Sequence, residues 1–192
     1  MMRIGLDIDG VIADFSGGMV ERLRGTEFEG DFPSNWAWGK YDGGMCSRER
    51  FETAFATFKN DPLFWLGLRP YYSQSDHPDF MEGFDFIPAM YVTARSIPSR
   101  ITSIWLRRNG FPNWKNVVTV ANASDKVQFM RYFALDAFVE DYHRTAVELT
   151  RAGINCYLLN RPWNINEPTP GVSRIDRLNE LDHQVVPESR AA

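Results

Sequence analysis

Cysteine is scarce in this chain. Cys46 and Cys156 are its two thiols, with no CxxC pair and no zinc-ligand spacing. Two reduced thiols are the simpler reading than a disulfide. Basic residues are not in excess either: the net charge is −4, which argues against long nucleic acid as a partner and leaves room for a small anionic ligand held by a local positive patch. No apolar run approaches the ~20 residues that span a bilayer, so no membrane partner is expected. Met1-Met2-Arg3 runs straight into an apolar strand with no leader-like apolar region. A secretory signal is therefore not expected, and the cytoplasm is the expected address. Internal repeats and low-complexity tracts are absent as well.

What remains is an ordinary globular balance of 44% hydrophobic and 24% charged residues over 192 positions, enough for one domain with a small insertion. Aromatic residues are plentiful at 14%, which suits both a packed core and a ring-lined pocket. Short apolar runs at Arg3–Ile8, Ile87–Val92, Asn116–Val120, Ala137–Val139 and Ile154–Leu159 read as strands. Helical spacing over Ser99–Asn109, Asp125–Phe133 and Arg144–Ala152 separates them, with Gly110 and Gly153 as stops. This alternation predicts an α/β fold with a parallel sheet covered on both faces. Residues 17–72 break the rhythm with Pro33, Pro62, paired glycines, Trp36, Trp38 and a Phe51-Phe55-Phe58 stripe. They read as a small, mostly helical cap with a helix from Ser47 to about Asn60. Residues 1–16 and 73–192 would form the core. The tail from Pro168 reads as a loop, a short helix around Ile175–Leu181 and a frayed end.

Four polar features fall at strand ends, where parallel sheets open a ligand crevice. Asp7-Ile8-Asp9-Gly10 places two carboxylates close enough to repel unless a cation lies between them. An EF-hand does not fit, since Gly10 sits at loop position four and Val11 replaces a ligand. Thr93-Ala94-Arg95-Ser96 offers a hydroxyl and backbone N–H groups for an oxyanion, though Thr93 or Ser96 equally suits a helix cap. Lys126 is a compact charge that either reaches a phosphate or is simply solvated. Glu140-Asp141 suits a magnesium site, or a helix N-terminus that favours negative charge.

In their order along the chain, these features resemble the haloacid dehalogenase superfamily of phosphohydrolases over about Ile4–Leu159. The resemblance implies a Rossmann-like sheet with the cap inserted after the first strand. It implies Asp7 as nucleophile, forming an aspartyl-phosphate, and Asp9 as acid and base. It further implies Mg2+ on the Asp7 carboxylate, the Asp9 carbonyl and Asp141, with Glu140 either a ligand through water or an orienting group. Thr93, Ala94 and Lys126 would hold the phosphate. The stretch Asp9–Phe15, the pair Phe64-Trp65, and Asn160-Arg161-Pro162-Trp163-Asn164 are similar to the 5′(3′)-deoxyribonucleotidases, which implies a nucleoside monophosphate substrate with Phe64 and Trp65 against the base. Two stretches depart from that family: Thr93-Ala94-Arg95 stands where Thr-Ser-Pro is usual, and Glu140-Asp141-Tyr142-His143 where a double aspartate precedes Arg-Pro. A phosphatase of another small phosphoester such as a sugar phosphate, a phosphotransferase and a non-catalytic binding module are the alternatives. His77, His143 and His183 read as surface or loop residues. Asp14 reads as a hydrogen-bonding residue of the first loop. A homodimer is compatible with the sequence, which fixes no oligomeric state.

Overall fold

The computed structural model describes residues 2–30, 47–72 and 83–181. Trp36, Trp38, Cys46, His77 and His183 lie outside these. Six strands form one parallel sheet: β1 (Ile4–Leu6), β2 (Met90–Thr93), β3 (Val117–Thr119), β4 (Ala137–Glu140), β5 (Asn155–Leu159) and β6 (Ser173–Ile175). Their spatial order is β3-β2-β1-β4-β5-β6. The chain therefore winds outward from β1 in both directions, and the switch point lies between β1 and β4. A crevice opens there beyond the carboxyl ends of the strands.

Successive residues of a strand face opposite sides of a sheet, and here both sides are apolar. Ile4, Leu6, Tyr91, Val139 and Leu159 face one core, which includes Trp105 and Leu106 of helix α4 (Ser99–Arg108) and Leu178 and Leu181 of a closing 3-10 turn. Val92, Phe138, Cys156 and Leu158 face a second core with Met130 of α5 (Lys126–Tyr132) and Ala146 and Leu149 of α6 (His143–Arg151). Burial on both faces explains the nearly continuous apolar runs in the sequence.

Between β1 and β2 the chain inserts three further helices: α1 (Phe15–Leu23), α2 (Arg48–Ala56) and α3 (Pro62–Gly67). Each starts at a side-chain cap that accepts a free backbone N–H: Asp14 from Gly17, Ser47 from Arg50 and Asp61 from Leu63. The Phe51, Phe55 and Phe58 stripe joins Phe15, Phe64 and Trp65 in one cluster of rings, with centroids 4.5–6.1 Å apart. Helix α1 starts at Phe15, so a cap boundary at residue 17 falls inside it. The two crossings between core and insertion lie side by side. Asp14 N donates to Arg69 O and Tyr71 N to Ile12 O, both at 2.8 Å. Trp105 of α4 donates from Nε1 to Leu68 O at 2.8 Å, tying the returning chain to the core.

Two expectations need correction. Ser173–Ile175 is an edge strand rather than loop, paired with Tyr157–Leu159. The following turn is limited to Leu178–Leu181. His143 is buried at the start of α6 rather than exposed, and burial lowers its pKa. Among the described residues no helix is long and apolar enough to cross a membrane.

Candidate active site

Asp7 follows β1 directly, and its N–H extends the pairing to Val139 O at 2.9 Å. The chain then turns tightly. Ile12 and Ala13 both donate to Ile8 O, and Gly10 donates to Ala13 O. Gly10 has φ +77°, and a Cβ there would run into the Asp141 carboxylate, so this position requires glycine twice over. Arg161 braces the loop from behind: Nε donates to Gly10 O at 2.7 Å and Nη2 to Val11 O at 3.0 Å.

The remaining groups converge from neighbouring strands. Lys126, the first residue of α5, donates from Nζ to Asp7 Oδ2 and to Glu140 Oε2, both at 2.7 Å. Glu140 ends β4, and its other oxygen accepts the Asp141 and Tyr142 N–H groups at 3.2 Å each. Asp141 is held by Trp163, whose Nε1 donates to Oδ2 at 2.8 Å, and by Asn164, whose Nδ2 donates to Asp141 O at 2.7 Å. Arg95 forks onto Asp9, with Nε donating to Oδ2 at 2.9 Å and Nη2 to Oδ1 at 2.6 Å. Thr93 Oγ1 donates to Asp9 Oδ2 at 3.2 Å.

A cavity of about 380 Å³ opens at this cluster. Asp7, Asp9, Thr93, Ala94, Lys126, Glu140 and Asp141 line its polar end, while Phe15, Phe51, Phe55 and Trp65 form an apolar wall. Of the pair expected against a base, Trp65 borders the cavity and Phe64 does not. Trp65 is nevertheless only 1% exposed, and its Nε1 is engaged with Lys59 O.

The charge balance is uneven. Asp7, Glu140 and Asp141 bring ligand oxygens within 4.8 Å of one another, all buried, and Lys126 is the one ammonium in contact with them. Were all three carboxyls ionised, two negative charges would be left in a medium that solvates them poorly. Burial, reinforced by Glu140 and Asp9, pushes the Asp7 carboxyl up to about 8 despite Lys126. Burial and the nearby Asp7 charge push Asp141 up to about 7. Burial also raises Glu140. Burial alone would lower the Lys126 ammonium, but the combined pull of Asp7 and Glu140 outweighs it and raises the group. Three hard oxygen donors with an excess charge of two fit a divalent ion such as magnesium. Asp9 belongs to a different pairing, since its carboxylate is taken by Arg95 and Thr93. Asp14 lies outside this set: it caps α1 and accepts the Tyr71 hydroxyl at 3.0 Å.

Four contributors, Arg95, Arg161, Trp163 and Asn164, lie in motifs named above without a site role assigned to them. Trp163 and Asn164 carried a detectable signal, as a Trp-Asn pair just beyond the last predicted strand. Arg161 shared that signal, but its target is 150 residues away. Arg95 gave none beyond its departure from an expected pattern.

No protein-family model and no curated protein sequence matches this chain. Among solved structures, one described as a dehalogenase with intermediate complex superposes with a TM-score of 0.57 at 11% identity, covering 97% of this chain and 98% of that one. An L-2-haloacid dehalogenase gives 0.54 at 14%, covering 97% and 100%. A predicted phosphoglycolate phosphatase from Haemophilus somnus 129PT gives 0.53 at 13%, covering 97% and 98%. The structural neighbours are thus hydrolases of the haloacid dehalogenase superfamily, and the chain has their Rossmann-like fold.

Proposed function

We propose that the chain is a magnesium-dependent phosphomonoesterase working through an aspartyl-phosphate on Asp7. The observation that carries this reading is the buried triad of Asp7, Glu140 and Asp141 around Lys126 at the switch point of the sheet, which once ionised would exceed the one ammonium by two negative charges. Magnesium bound by these carboxylates would neutralise the excess charge and draw the phosphoryl oxygens toward Asp7.

The chain's own residues account for the rest. The Asp7 carboxylate attacks phosphorus, forming a new P–O bond as the bond to the ester oxygen breaks. Asp9 delivers a proton to the departing alkoxide, then takes one from the water that attacks phosphorus and releases Asp7. Lys126 keeps Asp7 in line and offsets charge on the transferring group. A halide leaving from carbon needs no proton, so a dehalogenase would leave Asp9 without a task. This favours an oxygen ester over the alternative chemistry of the same fold.

Within this reading, a nucleoside monophosphate is the substrate we favour. The aromatic wall of Phe15, Phe51, Phe55 and Trp65 opposite the acidic end suits a flat, apolar base, and the motifs at residues 9–15 and 160–164 point the same way. Phosphate release from a panel of deoxynucleotides, ribonucleotides and sugar phosphates, with magnesium and with chelator, is the test. Chelator-sensitive release led by nucleotides is expected. Release led by sugar phosphates would overturn the substrate class, and no release from any ester would overturn the enzyme class.

A further inference from the structure

Arg95 is the strongest donor near the reaction centre that the steps above leave without a role. Its side chain is 0% exposed, whereas the Asp9 side chain is 20% exposed. Asp9, Thr93 and Ala94 line the cavity; Arg95 does not. All three guanidinium nitrogens are engaged. Nε and Nη2 grip Asp9, and Nη1 donates to Thr102 Oγ1 on α4 at 3.4 Å. The guanidinium carbon lies 4.8 Å from the Trp65 ring and 5.8 Å from the Trp105 ring. Such cation–ring contacts are favourable for arginine, more so when dry. Trp65 belongs to the inserted helices and Trp105 to the core, so the cation is seated where the two meet.

This geometry excludes phosphate binding by Arg95. Entering the cavity would break a two-point ion pair and leave Asp9 without its partner. What the fork does instead is fix one carboxylate. A carboxylate offers about four lone-pair sites. Nε and Thr93 Oγ1 occupy Oδ2, and Nη2 occupies one site on Oδ1. One site on Oδ1 stays open.

We infer that Arg95 is a positioning residue, which leaves one Oδ1 site of Asp9 free to carry the catalytic proton, aims it at the leaving oxygen and holds it there through the Trp65–Trp105 seat. The inference rests on the phosphatase reading, with Asp9 as the proton donor. It also accounts for the arginine where a proline is usual in the resembling family, since proline has no donor to offer.

Two aryl phosphates of nearly equal shape provide the test. Phenol resembles tyrosine, with a pKa of about 10, and needs a proton as it leaves. p-Nitrophenol is far more acidic and leaves without one. Wild-type protein with magnesium should hydrolyse both esters. Arg95→Met keeps an apolar stem between the two indoles and removes the fork. Its kcat/KM, which reports the steps up to formation of the phosphoenzyme, should fall about 100-fold on phenyl phosphate and less than about 5-fold on p-nitrophenyl phosphate, since general acid catalysis contributes about 10²–10⁴-fold. Adding Asp9→Asn to Arg95→Met should cost little more on phenyl phosphate, because the two residues act as a unit. Arg95→Lys, which keeps the charge but cannot span both oxygens, should show the same split at smaller size. It carries the test if the methionine variant melts early. Equal losses of kcat/KM on the two esters would overturn the inference while leaving the phosphatase reading intact. Hydrolysis by the wild type of neither aryl ester and of no nucleotide or sugar phosphate would overturn both.

Discussion

Lowering the pH should drive magnesium off this protein. Asp7 sits at about 8 and Asp141 at about 7, because burial and mutual repulsion outweigh Lys126. A carboxyl must lose its proton to ligate. At pH 6 both carboxyls should be largely protonated, so affinity should be much weaker than at pH 9. Binding at pH 6 should then release about two protons per ion, falling toward zero above about pH 9. Isothermal titration calorimetry with MgCl2, in buffers of differing ionisation enthalpy, reads both quantities. An affinity that moves less than about fivefold over this range, or binding without proton release, would refute the reasoning. It would mean that the ion does not sit on Asp7 and Asp141.

Four further outcomes follow from the same geometry. Asp7 and Asp141 hold protons more tightly folded than unfolded, so the metal-free protein should lose thermal stability as pH rises from about 4 to about 8, and magnesium should restore most at the high end; a melting curve that rises over that window would contradict this. Asp7→Asn should keep its fold and lose several orders of magnitude in kcat, as expected for a covalent nucleophile; near-normal turnover in a clean preparation would exclude the mechanism. Trp163→Phe removes the donor to Asp141 Oδ2 and should raise the magnesium concentration for half-maximal activity about 10–100-fold; an unchanged requirement would show that Asp141 needs no such support. Trp65→Ala empties a site 1% exposed among Phe15, Phe55, Phe64 and Arg95, so it should cost about 3–5 kcal/mol of stability by denaturant melt. A small loss of stability with a KM raised for nucleotides alone would instead make Trp65 a base contact.

Much of the core was legible in advance because its signals are local. A strand buried on both faces writes a short apolar run, and a polar residue just past it falls at the crevice. Asp7, Thr93 and Glu140 all stand at such positions, and the structure brings them to one cavity. Lys126 was found less directly, from its place at the start of a helix, and its role depends on Asp7 lying 119 residues away. The tail was misread for the opposite reason. Ser173–Ile175 has three residues, with an exposed serine and a half-buried arginine, so no alternation could emerge. Arg174 itself serves the loop beyond β5, donating to Asn160 Oδ1 and Asn164 O. Arg95 escaped because its partner is 86 residues distant and its cage comes from two separate helices. Pairings of this kind are made by topology, not by spacing. His143 read as a loop residue because a polar side chain at a helix start is usually exposed. Here it lies beneath Tyr142, with ring centroids 5.1 Å apart.

The proposed mechanism turns on a covalent bond between Asp7 and phosphorus. Asp9→Asn should slow water attack on the intermediate more than its formation from p-nitrophenyl phosphate, so phosphoenzyme should accumulate. Rapid acid quench, borohydride reduction and peptide mass spectrometry convert an aspartyl-phosphate into homoserine at the modified position. Homoserine at position 7, dependent on both substrate and magnesium, is the predicted result. Continued turnover with no modified residue, or homoserine at position 9 or 141, would contradict the central claim.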